Sequence, residues 1–355
     1  MTRIIVDDKI PYIKGQIEQL ADEVLYLSGV AITATDVREA DILVVRTRTH
    51  CDRALLEGSR VRFIVTATIG FDHLDTAYLR EAGIAWTNCP GCNATSVGQY
   101  VRNALFLLSR EYGLDLRKST LGIVGVGHVG KAVLEACRPW VGRILLNDPP
   151  LALALDKGCA GEGTRLQAKD FSPLRQLQQE CDILTFHTPL VREGAWPTFH
   201  LADEAFLSHL PRRPFLLNAA RGEVVDNEAL ERALDQGWVR QAVVDTWEHE
   251  PEPSPSLLRK VFIGTPHVAG YSADGKANAT RMSLQAIARW MGREDKMHFH
   301  VEPPSMHIPC PADDPVDRAL QLYDPRQDSQ RLKASPDRFE WLRGNYPLRR
   351  EADNN

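Results

Sequence analysis

Residues 120–131, TLGIVGVGHVGK, decide how this chain must be folded. An apolar run gives way to Gly125, Gly127 and Gly130 in G-x-G-x-x-G spacing, and a helical pattern follows through Lys131 and Leu134. A strand that turns into a helix there leaves unpaired backbone N–H groups at the helix start, where an anion is held. The first glycine permits the tight turn, the second lets the backbone approach a diphosphate, and the third lets helix and sheet pack closely. His128 and Val129 lie inside the same loop and join the glycines as cofactor-contact candidates. A second apolar run, RILLND, ends in Asp148, 18 residues after Gly130. A carboxylate there accepts from the adenosine ribose hydroxyls and repels a 2′-phosphate, which selects NAD over NADP. The alternative for Asp148 is a turn residue ahead of Pro149 and Pro150.

Outward from this loop, DILTFHTP, PFLLNAAR, QAVVDTW and VFIGTPH add four strand candidates, giving the six of a complete dinucleotide-binding domain. Upstream, RIIVD, EVLYL, DILVVR, VRFIVTAT and IAWTN alternate with helical stretches, PYIKGQIEQLA, CDRALLEG and DHLDTAYLREAG. Such alternation predicts a parallel sheet covered on both faces. The fold class expected is therefore α/β, with two Rossmann-like doubly wound parallel-sheet domains and a cleft between them. Expected boundaries are 1–93 with 271–292 for a substrate domain, 94–112 for an interdomain helix and 113–270 for the NAD domain. Residues 293–355 lose apolar periodicity, yet Phe339, Trp341, Leu342, Tyr346 and Leu348 are too apolar for a solvated tail. They are expected to form a small module that packs against a second copy, giving a homodimer.

The net charge of −5 gives no reason to expect nucleic acid as a partner, and no apolar run has membrane-spanning length. Seven cysteines without a disulfide-like rhythm suit a reducing cytoplasm. Cys89-Pro90-Gly91-Cys92 has no second C-x-x-C to complete a metal site, so it reads as a turn bent by Pro-Gly and no metal is expected.

Three further strand ends carry polar groups: Arg221 after FLLNAA, Asp245, Glu248 and Glu250 after QAVV, and His267 after VFIG. In a parallel sheet these positions share the carboxyl edge, where ligands bind. A guanidinium holds a carboxylate through two parallel bonds, histidine passes a proton near neutral pH, and a carboxylate on its far nitrogen fixes the tautomer. Together they suit oxidation of a hydroxyl beside a carboxylate, with Glu248 or Glu250 open as the histidine's partner; Glu248, Glu250 and Glu252 could instead all be solvated loop charges. Arg46 and Arg48, alternating with Thr47 and Thr49, would make a phosphate seat if they face the cleft.

In chain order, the Gly-rich loop, NAARG, DTWEHEP and TPH resemble the D-2-hydroxyacid dehydrogenases. The likeness runs through VTATIGFDHLD, PGCNATSVGQYV and HVAGYSADGKA, covers nearly the whole chain and reaches RGNYPLRRE. It implies that Arg221 holds the substrate carboxylate, that His267 accepts the proton, and that Glu250, just before Pro251, is its partner. It also implies cofactor contacts at Asp148, Thr188, Asp245 and Gly270, with Ala219 and Ala220 of NAARG beside them, and substrate contacts at Thr47, Thr68 and Tyr271. The implied reaction is NAD-dependent oxidation of a small phosphorylated 2-hydroxy acid. Glycerate, glyoxylate or 3-phosphoglycerate are alternative substrates, and an NAD-responsive binding protein is the non-catalytic alternative.

Overall fold

In a computed structural model, residues 1–159, 165–296, 298–305 and 310–351 are described. They fall into two compact units, Met1–Asn93 with Ser272–Met306 and Ala94–Tyr271 with His307–Asn355.

The first unit is built on β1 (Arg3–Asp7), β2 (Glu23–Leu27), β3 (Ile42–Val45), β4 (Phe63–Thr66) and β5 (Ala85–Thr87), all parallel in the order β2-β1-β3-β4-β5. Period-two side chains explain why both faces must be covered. Ile4, Val6, Ile42 and Val44 enter one buried cluster, whereas Ile5, Leu43 and Val45 enter the other. The helix Ala273–Trp290, N-capped by Ser272, returns to cover the first of these faces. The expected helix over 11–21 shrinks to a single turn, Ile17–Gln19. Tyr12 and Gly15 stand at φ 62° and 85°, which interrupts a right-handed helix before it can propagate. At the C-x-x-C, Gly91 turns at φ 79° and both thiols are buried and unpaired. Cys89 bonds the Ala279 carbonyl at 3.3 Å, and burial raises its thiol to about 11. This is a packed turn, with thiols held protonated.

The second unit carries β6 (Thr120–Val124), β7 (Arg143–Asn147), β8 (Ile183–Phe186), β9 (Phe215–Asn218), β10 (Gln241–Val244) and β11 (Ile263–Gly264), parallel in the order β11-β10-β9-β8-β6-β7. The sheet is doubly wound, and the strand order reverses between β6 and β8. The long helix Ala94–Tyr112 buries Val97, Val101, Ala104, Leu105 and Leu108 as its spacing predicts, and Gly113 ends it at φ 66°. No helix among the described residues is long and apolar enough to cross a membrane.

The C-terminal stretch does not stand as a separate module. Its helices Pro315–Leu322, Pro325–Ala334 and Phe339–Gly344 belong to the second unit, while 294–305 go with the first. Phe339 is 1% exposed and shares a core with Leu332, Trp247 and Leu258 of the same chain. Ser329 accepts the Gly264 N–H at 3.0 Å, so the helix Pro325–Ala334 closes the open edge of β11. Intrachain burial therefore explains part of the aromatic content that the sequence assigned to a partner. Trp341 and Leu348 remain 53% and 37% exposed.

Candidate active site

The strand-order reversal at β6 and β8 creates a crevice at their carboxyl ends. Gly125 stands at φ 86°, and a Cβ there would lie 2.7 Å from the backbone of His187 and Thr188. A Cβ on Gly130 would lie 2.0 Å from the Gly125 carbonyl. Only glycine allows these approaches. Gly127 caps the helix His128–Cys137 without any side-chain bond, and the space beside it is open. His128 is exposed and Val129 half-buried in that first turn. The Thr188 hydroxyl is buried with no partner among the described residues. A buried hydroxyl is costly to leave unpaired. An uncapped helix start, open space and an orphaned hydroxyl at one switch point together fit a dinucleotide diphosphate.

Asp148 does two structural jobs at this edge. Its Oδ1 accepts from Leu151 N at 3.0 Å as an N-cap, and its Oδ2 accepts from Val126 N at 2.8 Å. The second bond ties the end of β7 to the glycine loop, and both leave lone pairs for further donors. His187 is buried against Thr185 at 2.8 Å, and burial lowers its imidazole to about 3. It is a neutral packing residue.

At the neighbouring strand ends, His267 Nδ1 donates to Glu250 Oε2 at 2.8 Å, while Glu250 Oε1 accepts from Trp247 N at 3.0 Å. Burial pushes the Glu250 carboxyl up. The bond and charge of His267, the Trp247 N–H and Arg343 outweigh it and hold the group below 4.5. His267 itself sits at φ 56°, a conformation rare outside glycine. The strain is held by Asp245, which is almost fully buried. Its carboxylate accepts from Thr265 Oγ1 at 2.6 Å, Val268 N at 2.8 Å and Ala269 N at 2.9 Å. Burial raises this carboxyl, opposed by His267 and those three donors. Asp245 thus fixes the turn carrying His267, a role its position as a cofactor candidate did not announce.

Arg221 opens the turn after β9. A Cβ on Gly222 would lie 1.9 Å from the Trp247 carbonyl, so this turn and the one after β10 are in backbone contact. Arg221 is half-buried and donates to the Ala220 carbonyl at 2.8 Å, leaving most of its fork for a ligand. Ala219 lies half-buried and Ala220 buried in this same turn, and the Asn218 amide braces it through Ala220 N at 3.1 Å. Glu248 is committed elsewhere, to His200 Nε2 at 2.7 Å and Asn227 N at 2.8 Å.

Two arginines near the C-terminus were not anticipated. Arg349 is buried, bonds the carbonyls of Val268, Ala269 and Tyr271 at 3.0, 2.5 and 2.7 Å, and reaches Gln99 at 2.9 Å. It clasps the turn through Gly270 that follows His267. Arg343 lies 3.9 Å from Glu250 Oε2. The only signal in the sequence was the high arginine content of RGNYPLRRE.

In the first unit, Thr47 is exposed just past β3, and Thr68 follows the adjacent β4 with its hydroxyl donated to the Gly70 carbonyl at 2.8 Å. Both therefore stand at the carboxyl edge of their own sheet. Arg46 departs from the expected phosphate seat. Its Nε and Nη2 grip the buried Asp7 at 3.0 and 3.2 Å, because a buried carboxylate needs a paired cation.

The family described as D-isomer specific 2-hydroxyacid dehydrogenase, NAD binding domain, matches residues 93–269. Erythronate-4-phosphate dehydrogenase of Bacteroides fragilis is 50% identical over 350 residues, covering 98% of this chain and 97% of that one. The protein of the same name from Porphyromonas gingivalis is 42% identical, covering 98% and 93%. Among solved structures, D-lactate dehydrogenase from Aquifex aeolicus with NAD and lactic acid aligns at TM-score 0.63 and 22% identity, over 85% of this chain and all 100% of that one. D-2-hydroxyisocaproate dehydrogenase aligns at TM-score 0.66 and 19% identity, over 82% and 97%. These two likenesses are of fold.

Proposed function

The chain belongs to the erythronate-4-phosphate dehydrogenases, within the D-isomer specific 2-hydroxyacid dehydrogenases, and from that premise we propose how it works. It oxidises the C2 hydroxyl of 4-phospho-D-erythronate to (R)-3-hydroxy-2-oxo-4-phosphooxybutanoate, a step toward pyridoxal 5′-phosphate. Bound NAD would supply the hydride acceptor for C2. Gly125, Gly127 and Gly130 with the helix start at His128 and Val129 hold its diphosphate, Asp148 its ribose, and Thr188, Ala219, Ala220 and Gly270 line the path. Arg221 holds the substrate carboxylate by its fork and polarises the neighbouring C2 oxygen. The hydroxyl proton passes to His267 Nε2, and Glu250 stabilises the imidazolium that forms. Thr47, Thr68 and Tyr271 contact the substrate.

The observation that carries this reading is the His267–Glu250 bond at 2.8 Å, with Arg221 on the adjoining strand end. A homodimer is part of the proposal, supported by the exposed Trp341 and Leu348. The seven unpaired cysteines support a reducing cytoplasm. The test is turnover with NAD across 4-phosphoerythronate, 3-phosphoglycerate and glycerate, and the reverse reduction of glyoxylate with NADH. Preference for 4-phosphoerythronate is expected. Preference for an unphosphorylated acid overturns the substrate, and NAD binding without turnover of any acid overturns the enzyme.

A further inference from the structure

We propose that Arg343 is a positioning residue of the His267–Glu250 pair, and that its charge sets the pH range in which the pair accepts the substrate proton. The inference rests on His267 being that acceptor.

Arg343 reaches the pair from the C-terminal helix Phe339–Gly344, which is anchored by the buried Phe339 and by Leu342 packed on the same core. Its Nη1 lies 3.9 Å from Glu250 Oε2, the oxygen that also accepts from His267 Nδ1. One carboxylate oxygen is thus shared between an imidazole and a guanidinium. Arg343 also bonds Tyr271, and its Nε is buried with no partner among the described residues. Arg343 is only partly buried, yet a side chain that merely filled this corner would need no charge beside Glu250; a leucine or methionine would serve.

The charges around the pair show what this cation does. From the segment after β10 come Asp245 and Glu250, both facing His267. From the C-terminal helix come Arg343 and Glu340, the latter 3.8 Å from Arg343 at a 42% exposed site. Tyr271 follows His267 in sequence, and its ring stacks edge-on to Tyr346. Behind these lie Asp328, bonded to the Tyr346 hydroxyl at 2.9 Å, and Arg349, opposite in sign. Two carboxylates therefore face His267. Among the described residues, Arg343 is the cation paired with Glu250, and its charge opposes theirs. The depressed Glu250 carboxyl, to which Arg343 contributes, agrees with this.

The test measures kcat/KM for NAD-dependent oxidation of 4-phosphoerythronate from pH 6 to 10 on the full chain, for wild type, Arg343→Met, Arg343→Gln and Arg343→Lys. Loss of the cation lets the carboxylates hold the proton to higher pH, so the acid limb moves up by about half a unit or more. The ratio of kcat/KM at pH 9 to that at pH 7 rises in the Met and Gln variants, by up to about threefold for each half unit the limb moves. Arg343→Lys returns the limb toward wild type. A profile scaled down with its limb unmoved assigns Arg343 to packing and overturns the proposal. So does loss of activity at every pH, or failure of both neutral variants to fold. A wild type without turnover sinks the acceptor reading itself, whereas wild-type turnover with an unmoved limb sinks only the role of Arg343.

Discussion

Two histidines of the second unit meet glutamates in almost the same way, yet only one keeps its second ring nitrogen away from another carboxylate. His267 bonds Glu250 at 2.8 Å, and His200 bonds Glu248 at 2.7 Å. Both histidines have left-handed backbones, φ 56° and 50°, and both glutamates stand in the short segment after β10. The difference lies on the other ring nitrogen. His200 Nδ1 faces Asp226 at 3.6 Å, so carboxylates flank both sides of its ring. His267 uses Nδ1 for Glu250, and its Nε2 has no partner among the described residues. A carboxylate partner alone does not make a proton acceptor. The nitrogen opposite must remain available, and the turn must be held from behind, as Asp245 and Arg349 hold it here.

The largest separation between the pairs should appear on deletion of each imidazole. His267→Asn is expected to lower kcat by about a thousandfold or more with NAD affinity little changed, while His200→Asn stays within about twofold. Equal losses in steady-state kinetics would erase the distinction. Next comes the clasp that only one pair has. Arg349→Met leaves three carbonyls and the Gln99 oxygen without a donor, at a cost of roughly 3 kcal/mol. Urea unfolding should show the midpoint fall; an unchanged midpoint would mean the turn holds itself. Glu250→Gln should cost roughly tenfold or more in kcat and Glu248→Gln much less, read in the same assay. A reversal would return the partner role to Glu248.

The smallest effect concerns acid stability. The folded Glu250 carboxyl is held below its ordinary 4.5, so its contribution is complete above 4.5 and lost as pH falls through the lower folded value. The stability gap between wild type and Glu250→Gln should therefore narrow on going from pH 6 to pH 3. A gap that widens in acid would mean the carboxyl is not depressed.

The eleven strands among the described residues were legible because parallel strands buried on both faces are nearly continuous apolar runs, such as IIV of β1 and ILVV of β3. The helix expected over 11–21 failed for a local reason, the positive φ at Tyr12 and Gly15, that apolar spacing does not register. Arg221 and His267 could be picked out because each follows a strand end, whereas Glu250 was separated from Glu248 only by the family resemblance. Asp245 could be picked out as well, but not its task, since its partners are backbone N–H groups of a turn more than 20 residues later. Arg349 and Arg343 were invisible for the same reason at greater range: their partners are about 80 residues away or more. The Arg46–Asp7 pair joins residues 39 apart, and nothing in RTRT tells a bound arginine from an available one.

The claim that His267 and Glu250 act as one unit is tested most directly by a double-mutant cycle in kcat/KM for 4-phosphoerythronate. Glu250→Gln is expected to cost activity in the wild-type background and almost nothing once His267→Asn is present. Losses that simply multiply in the double variant would contradict it, because the two residues would then be acting independently.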